Sequence, residues 1–131
     1  MTRLTTDQKL ECIKIGLDKL EEHITDLEAE IEKLEGQDMF FAREWWKDGK
    51  YLYLVFPQEA NGNRKRVYVG SNKVNVARAR AKVTRWERHR DLHSKLNASR
   101  NALYDHNATL GLLADRLKRL IGDRWPSVAS N

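Results

Sequence analysis

The chain has 131 residues, and its 24 Lys and Arg residues against 19 Asp and Glu residues give a net charge of +5. No run of about 18 apolar residues exists that could cross a membrane, and a single cysteine, Cys12, excludes an intramolecular disulfide. We therefore expect one cytoplasmic domain without membrane contact, and the basic balance favours an acidic partner such as nucleic acid.

The first predicted element is a helix over residues 6 to 35. Its apolar residues follow one another at steps of three and four, an a/d heptad seam of Leu10, Ile13, Leu17, Leu20, Ile24, Leu27, Ile31 and Leu34. Thr5 and Gln8 have the spacing of a capping box, and Gly36 stands where a helix C-cap glycine is typical. Residues 1 to 37 carry five basic against ten acidic residues, so this helix is not expected to bind a polyanion.

The middle of the chain is aromatic, and residues 39 to 70 are predicted to form a three-stranded antiparallel meander. The dipeptide Asp48-Gly49 is typical of a two-residue hairpin turn, Pro57 ends the second strand, and residues 61 to 63 make a second turn. The third strand then runs to Gly70.

A two-residue turn would place Trp46 opposite Tyr51. Alternation of side chains then predicts one buried face that carries Trp45 and Leu52, and one open face that carries Trp46, Tyr51 and Tyr53.

A second, longer helix is predicted over residues 72 to 121, followed by a tail over residues 122 to 131. Its first part would cover the sheet with Val76, Ala79, Val83 and Trp86. Its second part repeats the heptad steps at Leu96, Ser99, Leu103, His106, Leu110, Leu113, Leu117 and Leu120.

The two seams have equal length and can be laid antiparallel, with Leu10 near Leu120 and Leu34 near Leu96. The sequence thus predicts a single α+β domain over residues 1 to 131, mostly helical, in which a helical hairpin of coiled-coil arms carries the β-meander at its tip. A homodimeric coiled coil through the first seam is the competing arrangement, and dimerisation through leftover apolar surface is compatible with the hairpin.

Positive charge concentrates between Arg64 and Arg90, where ten basic residues accompany a single acid, Glu87. Four of these positions recur at helical spacing and should form one open face, namely Arg78, Lys82, Arg85 and His89. Aligned cations on a helix and a neighbouring sheet suit a phosphate backbone, and aromatic side chains between them can stack on bases.

Signals for catalysis are weak. His89 and His93 have the i,i+4 spacing of a metal-binding pair, but the sequence shows no evident third ligand. Neither a glycine-rich phosphate loop nor a nucleophile motif is found. We therefore expect a protein that is not an enzyme and that binds neither a metal ion nor a cofactor.

Residues 43 to 86 resemble small DNA-binding modules built from a three-stranded sheet and a helix, as in APETALA2-type plant factors and the arm-binding domains of integrases, and also uncharacterised short prokaryotic proteins. The resemblance is carried by the turn Lys47-Asp48-Gly49-Lys50, the strand Arg64-Lys65-Arg66-Val67-Tyr68-Val69-Gly70 and the helix start Val76-Ala77-Arg78-Ala79-Arg80-Ala81. It implies that the sheet enters the major groove and that contacts come from Arg43, Trp46, Tyr51, Tyr53, Arg64, Arg66 and Tyr68.

The sequence therefore predicts a non-enzymatic nucleic-acid-binding protein of a prokaryote or mobile element, with DNA favoured over RNA. The alternative is a protein-interaction module, such as a phage-encoded inhibitor or adaptor, that docks its basic tip on a nucleic-acid-handling complex. The full candidate interface comprises Arg43, Trp46, Lys47, Lys50, Tyr51, Tyr53, Arg64, Lys65, Arg66, Tyr68, Arg78, Lys82, Arg85 and His89.

Overall fold

The computed structural model describes residues 3 to 127, and it confirms a mostly helical α+β protein whose strands lie between two long helices. The elements in chain order are helix α1 (Thr6–Glu35), strands β1 (Arg43–Lys47), β2 (Tyr51–Gln58) and β3 (Arg64–Gly70), helix α2 (Lys73–Ile121) and a 3-10 turn (Gly122–Arg124). Residues 128 to 131 of the predicted tail lie outside the described residues. Neither helix in the described range is apolar enough over sufficient length to cross a bilayer.

Both helices begin with the side-chain caps that their sequences favour. The Thr5 backbone N–H donates to Gln8 Oε1 over 2.8 Å, and the Gln8 N–H donates to Thr5 Oγ1 over 3.2 Å, so the capping box of α1 is confirmed. At the start of α2, Asn72 Oδ1 accepts from the N–H groups of Val74 and Asn75 over 2.9 and 3.2 Å. Each cap satisfies N–H groups that have no partner within the helix.

The sheet is an antiparallel meander in the order β1-β2-β3, as predicted. The predicted register between β1 and β2 is wrong by one residue. Lys47 lies opposite Tyr51, because Lys50 stays in the turn and donates its N–H to the Lys47 carbonyl over 3.1 Å. Asp48 and Gly49 adopt φ values of 56° and 65°, as the tight turn requires. A shift of one residue exchanges the two faces of a strand, so every side chain of β1 points opposite to the prediction.

The core of the sheet lies on the face that packs against α2. Leu52 and Leu54 of β2 are fully buried and form one cluster with Ala79 and Val83 of α2. Phe40, Ala42, Phe56, Val67, Val69 and Val76 pack around this cluster. Burial of each leucine contributes about 1.5–3 kcal/mol relative to an exposed side chain, so this cluster holds the sheet on the helix.

The chain divides into two compact units, one formed by Asp26–Leu96 and the other by the rest of the chain. We call them the sheet unit and the arm unit. Within the sheet unit, the end of α1 lies beside α2: Arg88 and Glu30 form an ion pair of 3.1 Å, and Ile31 and Leu92 are buried.

The helices pair about one heptad away from the predicted alignment. In the sheet unit, Glu35 contacts His89 and His93 rather than the turn around Leu96. The segment over residues 36 to 42 then follows α2, where Phe41 stacks on Trp86 with ring centroids 4.0 Å apart. Because only a few residues separate Glu35 from this stack, α1 ends opposite an earlier stretch of α2 than the hairpin prediction assumed.

In the arm unit, Ile13 and Leu17 line a groove with His106 and Leu110, whereas the predicted alignment placed them opposite Leu117 and Leu113. The same one-heptad shift therefore applies in this unit. Leu120 is left 81% exposed, and its predicted pairing with Leu10 is wrong.

Candidate nucleic-acid interface

The face of the sheet turned away from α2, which we call the outer face, carries a row of three aromatic rings, one from each strand, with Tyr51 of β2 as a further outward ring. Trp45 on β1 lies opposite Tyr53 on β2, and Tyr53 lies opposite Tyr68 on β3. The ring centroids are 5.2 Å apart for Trp45 and Tyr53, and 5.0 Å apart for Tyr53 and Tyr68. Trp45 is 46% and Tyr68 58% exposed, so this row of rings is accessible to a ligand.

Cations flank the aromatic row on the outer face. Alternation along the strands places Arg43 and Lys47 of β1, and Arg64 and Arg66 of β3, on the same side as the rings. The Arg66 guanidinium lies 5.9 Å from the centre of the Trp45 ring, within the range of a cation–π contact. The three strands, all within the described residues, carry no acidic side chain at an outward position.

The first turn closes one end of this face. A hollow of about 280 Å³ is lined by Lys47, Asp48, Tyr51, Tyr53 and Tyr68. The Lys50 ammonium lies 5.6 Å from the Tyr51 ring. An apolar ring with a cation beside it can pack on a flat base or sugar while the cation pairs with the adjacent phosphate.

Trp46, which the sequence placed on the open face, lies on the opposite side of the sheet. Its indole N–H donates to Glu44 Oε2 over 3.3 Å, and Arg80 Nε of α2 donates to Glu44 Oε1 over 2.7 Å. The Arg80 guanidinium also lies 5.7 Å from the Trp46 ring. Trp46 thus joins β1 to α2. Trp45, which the sequence assigned to the core, lies instead on the outer face, where Trp46 had been predicted.

The basic run of β3 is divided between the two faces. Lys65 lies on the side of α2, where its ammonium is 5.7 Å from the Phe56 ring. Arg64, Arg66 and Tyr68 occupy the alternate, outward positions, together with Tyr53, as the prediction required.

The predicted open basic face of α2 is largely covered, because the segment over residues 36 to 42 packs on it. The Lys82 ammonium lies 4.8 Å from the Phe40 ring, and Arg85 Nε donates to the Asp38 carbonyl over 2.9 Å. His89 contacts Glu35. Of the four predicted positions, Arg78 is the one that is exposed.

The Glu44–Arg80 pair predicts a defined acid sensitivity. The hydrogen bond from Arg80 holds the pKa of Glu44 below its usual value of 4.5, the Trp46 N–H adds to this effect, and partial burial opposes it. Because the carboxyl pKa is lower in the folded state, its stabilisation is present above pH 4.5 and is lost as the pH falls through the folded-state value.

We therefore expect Glu44→Gln to lower the melting temperature at pH 7, and the difference from the wild type to shrink towards pH 3. Thermal unfolding followed by circular dichroism across this range measures it. Glu59→Gln removes an exposed carboxylate of the second turn and is the matched control. A Glu44→Gln deficit that stays constant with pH would contradict the assignment.

Comparison with protein-family models, with curated proteins and with solved structures finds no match to this chain.

Proposed function

We propose that the protein binds nucleic acid, DNA rather than RNA, through the outer face of its sheet. The observation that carries this proposal is the row of Trp45, Tyr53 and Tyr68, flanked by outward arginines on both edge strands. Exposed rings without cations would suit many apolar partners, and cations without rings are common on solvated surfaces. The combination matches the two contacts that nucleic acids offer, a polyanionic backbone and stacked bases.

The charge distribution supports the same face. The segment from Arg43 to Gly70 carries six basic and three acidic residues. Of the three acids, Glu44 is paired with Arg80 on the other side of the sheet. The potential at the outer face is therefore positive, which favours the approach of a phosphate backbone.

The resemblance to sheet-based DNA-binding modules favours DNA over RNA and favours entry of the sheet into the major groove. In this protein, Trp45 stands on the outer face where the resemblance had suggested Trp46, while Arg43, Arg66 and Tyr68 keep their proposed roles. We propose a binding protein of the cytoplasm, in a prokaryote or mobile element, without catalytic activity.

The test is fluorescence anisotropy with labelled duplex DNA, single-stranded DNA and RNA at several salt concentrations. We expect wild-type binding at micromolar concentration or below, tightest for DNA. Arg43→Ala/Arg66→Ala should weaken binding by at least about tenfold and reduce the slope of log K against log salt by about two, one unit for each lost phosphate contact.

Lys9→Ala/Lys14→Ala is the matched control, since it removes two exposed cations of α1 in the arm unit and changes net charge equally. Equal weakening by both double variants would show a non-specific charge effect and contradict the outer face as the site. If the protein bound RNA most tightly, only the preference for DNA over RNA would be overturned.

Stacking is tested in the same titrations. Tyr68→Ala should weaken binding by about 1–3 kcal/mol, the usual value of one base–aromatic contact, and leave the salt slope unchanged. Tyr104→Ala removes another exposed tyrosine, on α2 in the arm unit, and should have no effect.

A protein partner at the same face is the second candidate, because Trp45 and Tyr68 also expose apolar ring surface. Absence of binding to every nucleic acid at low salt would favour it. A stoichiometric partner retained after nuclease treatment, and lost with Tyr68→Ala, would then establish this function.

We also propose that the arm unit pairs with a second copy of the chain. Leu10 is 51% and Leu113 48% exposed although both belong to heptad seams, and the groove of about 410 Å³ beside Ile13 and Leu17 is apolar. In this unit the α1 residues carry more acids than bases and the α2 residues more bases than acids. Two copies can therefore bring α1 of one against α2 of the other with opposite charges.

A further inference from the structure

Three potential metal ligands from two helices converge in the sheet unit. His89 Nε2 lies 2.9 Å and His93 Nε2 3.6 Å from Oε1 of Glu35. One ligand atom from each of these residues lies within 4.8 Å of the other two. The sequence showed the two histidines, and the structure adds the carboxylate from the other helix.

The distances from the two histidine nitrogens to Glu35 are close to those in a zinc site. Zinc binds His nitrogen and carboxylate oxygen at about 2.0–2.2 Å in tetrahedral geometry, which separates neighbouring ligand atoms by about 3.3 Å. The two distances to Glu35 bracket this value. Small side-chain rotations would bring all three ligands onto one ion, with the fourth position open to water.

The supporting helices fix these positions. The two histidines are one helical turn apart on α2, with ring centroids separated by 4.5 Å, and Glu35 is the last residue of α1. The Arg88–Glu30 ion pair and the buried Ile31 and Leu92 hold the helices together beside the site. His89 is shielded by this packing, with 19% of its side chain exposed, whereas His93 is open to entry from solvent.

The charges around the three side chains also suit a metal ion, because the Glu35 carboxylate lies against both histidines. Two cations of α2 near the site are engaged elsewhere, Arg88 with Glu30 and Arg85 with the Asp38 carbonyl.

We propose that Glu35, His89 and His93 form a binding site for a divalent transition-metal ion, with Zn²⁺ as its first candidate. The ion would join the end of α1 to α2 and so stabilise the sheet unit. The site is separate from the outer face, and this proposal does not depend on nucleic-acid binding.

The test is isothermal titration of tag-free protein with ZnCl₂ at pH 7.5, with Co²⁺ absorption as a second readout. We expect one Zn²⁺ per chain at micromolar affinity, visible Co²⁺ bands of a four-coordinate site, and a melting temperature that rises with Zn²⁺ and returns on addition of EDTA. His93→Ala and Glu35→Gln should each weaken binding by at least about tenfold.

His23→Ala is the matched control, because it removes one exposed histidine of α1 in the arm unit. It should leave affinity and stoichiometry unchanged. Circular dichroism of each variant without metal separates lost ligands from lost fold, and His93→Gln replaces His93→Ala if the latter is unstable. Affinity weaker than about 100 μM, or equal affinity in the wild type and the His93 and Glu35 variants, would overturn the site.

Discussion

Leu54→Asp is expected to abolish the cooperative unfolding of the sheet unit. Leu54 lies in the central strand, is 0% exposed and packs in the cluster with Leu52, Ala79 and Val83. A carboxylate at this position would be buried without a partner, at a cost of several kcal/mol added to the lost apolar contacts. Because whole domains are stable by only about 5–15 kcal/mol, one such change removes most of the stability of the unit.

Thermal unfolding followed by tryptophan fluorescence measures this effect, since Trp45, Trp46 and Trp86 all lie in the sheet unit. Val74→Asp is the control, because Val74 is an exposed aliphatic residue in the first turn of α2. An acid near a helix N-terminus is tolerated or slightly favourable, so its melting temperature should stay near that of the wild type. A native-like transition in Leu54→Asp would show that the sheet does not pack on α2 as described.

Leu113→Glu is expected to convert a dimer into a monomer. The proposed pairing of arm units would cover Leu113, whose side chain is half exposed in one chain. Glutamate there would place a charge in the contact between two copies, but would remain solvated in a single copy. Sedimentation equilibrium at micromolar concentrations should give a dimer for the wild type and a monomer for the variant.

Tyr104→Glu serves as the control for this experiment. Tyr104 is exposed on α2 beside the seam and not in it, so the variant should remain dimeric. A wild-type protein that sediments as a monomer at about 100 μM would refute the pairing. Circular dichroism of Leu113→Glu at the same concentration distinguishes dissociation from unfolding of the arm unit.

The elements of this fold follow from local sequence signals. The heptad steps and the Thr5–Gln8 cap predict α1 to the residue, and the Asp48-Gly49 turn and the aromatic strands predict the meander order. These signals are short-range and depend on backbone propensity and hydrophobic period. The alignment of α1 with α2 depends on how the intervening segment packs. No short-range pattern in residues 36 to 42 predicts the stack of Phe41 on Trp86.

The candidate site was less accessible to sequence reasoning for two physical reasons. Whether Lys50 belongs to the turn or to the strand decides which of Trp45 and Trp46 faces outward, and residue preferences at this turn do not settle it. Contacts between distant segments also cannot be read from spacing, so the cover over Lys82 and Arg85 was missed. For the same reason, the sequence did not predict Glu35 as the partner of His89 and His93.

Among the residues that the structure describes, the order of the strands leaves β1 and β3 each with one unpaired edge. Such edges offer free N–H and C=O groups to the strand of another molecule, and charged residues at the edge are a common protection against this pairing. Arg43 and Lys47 on β1, and Arg64, Lys65 and Arg66 on β3, make both edges basic. Two copies that approached edge to edge would repel each other, so the cations proposed to hold DNA would also keep the sheet from growing into aggregates.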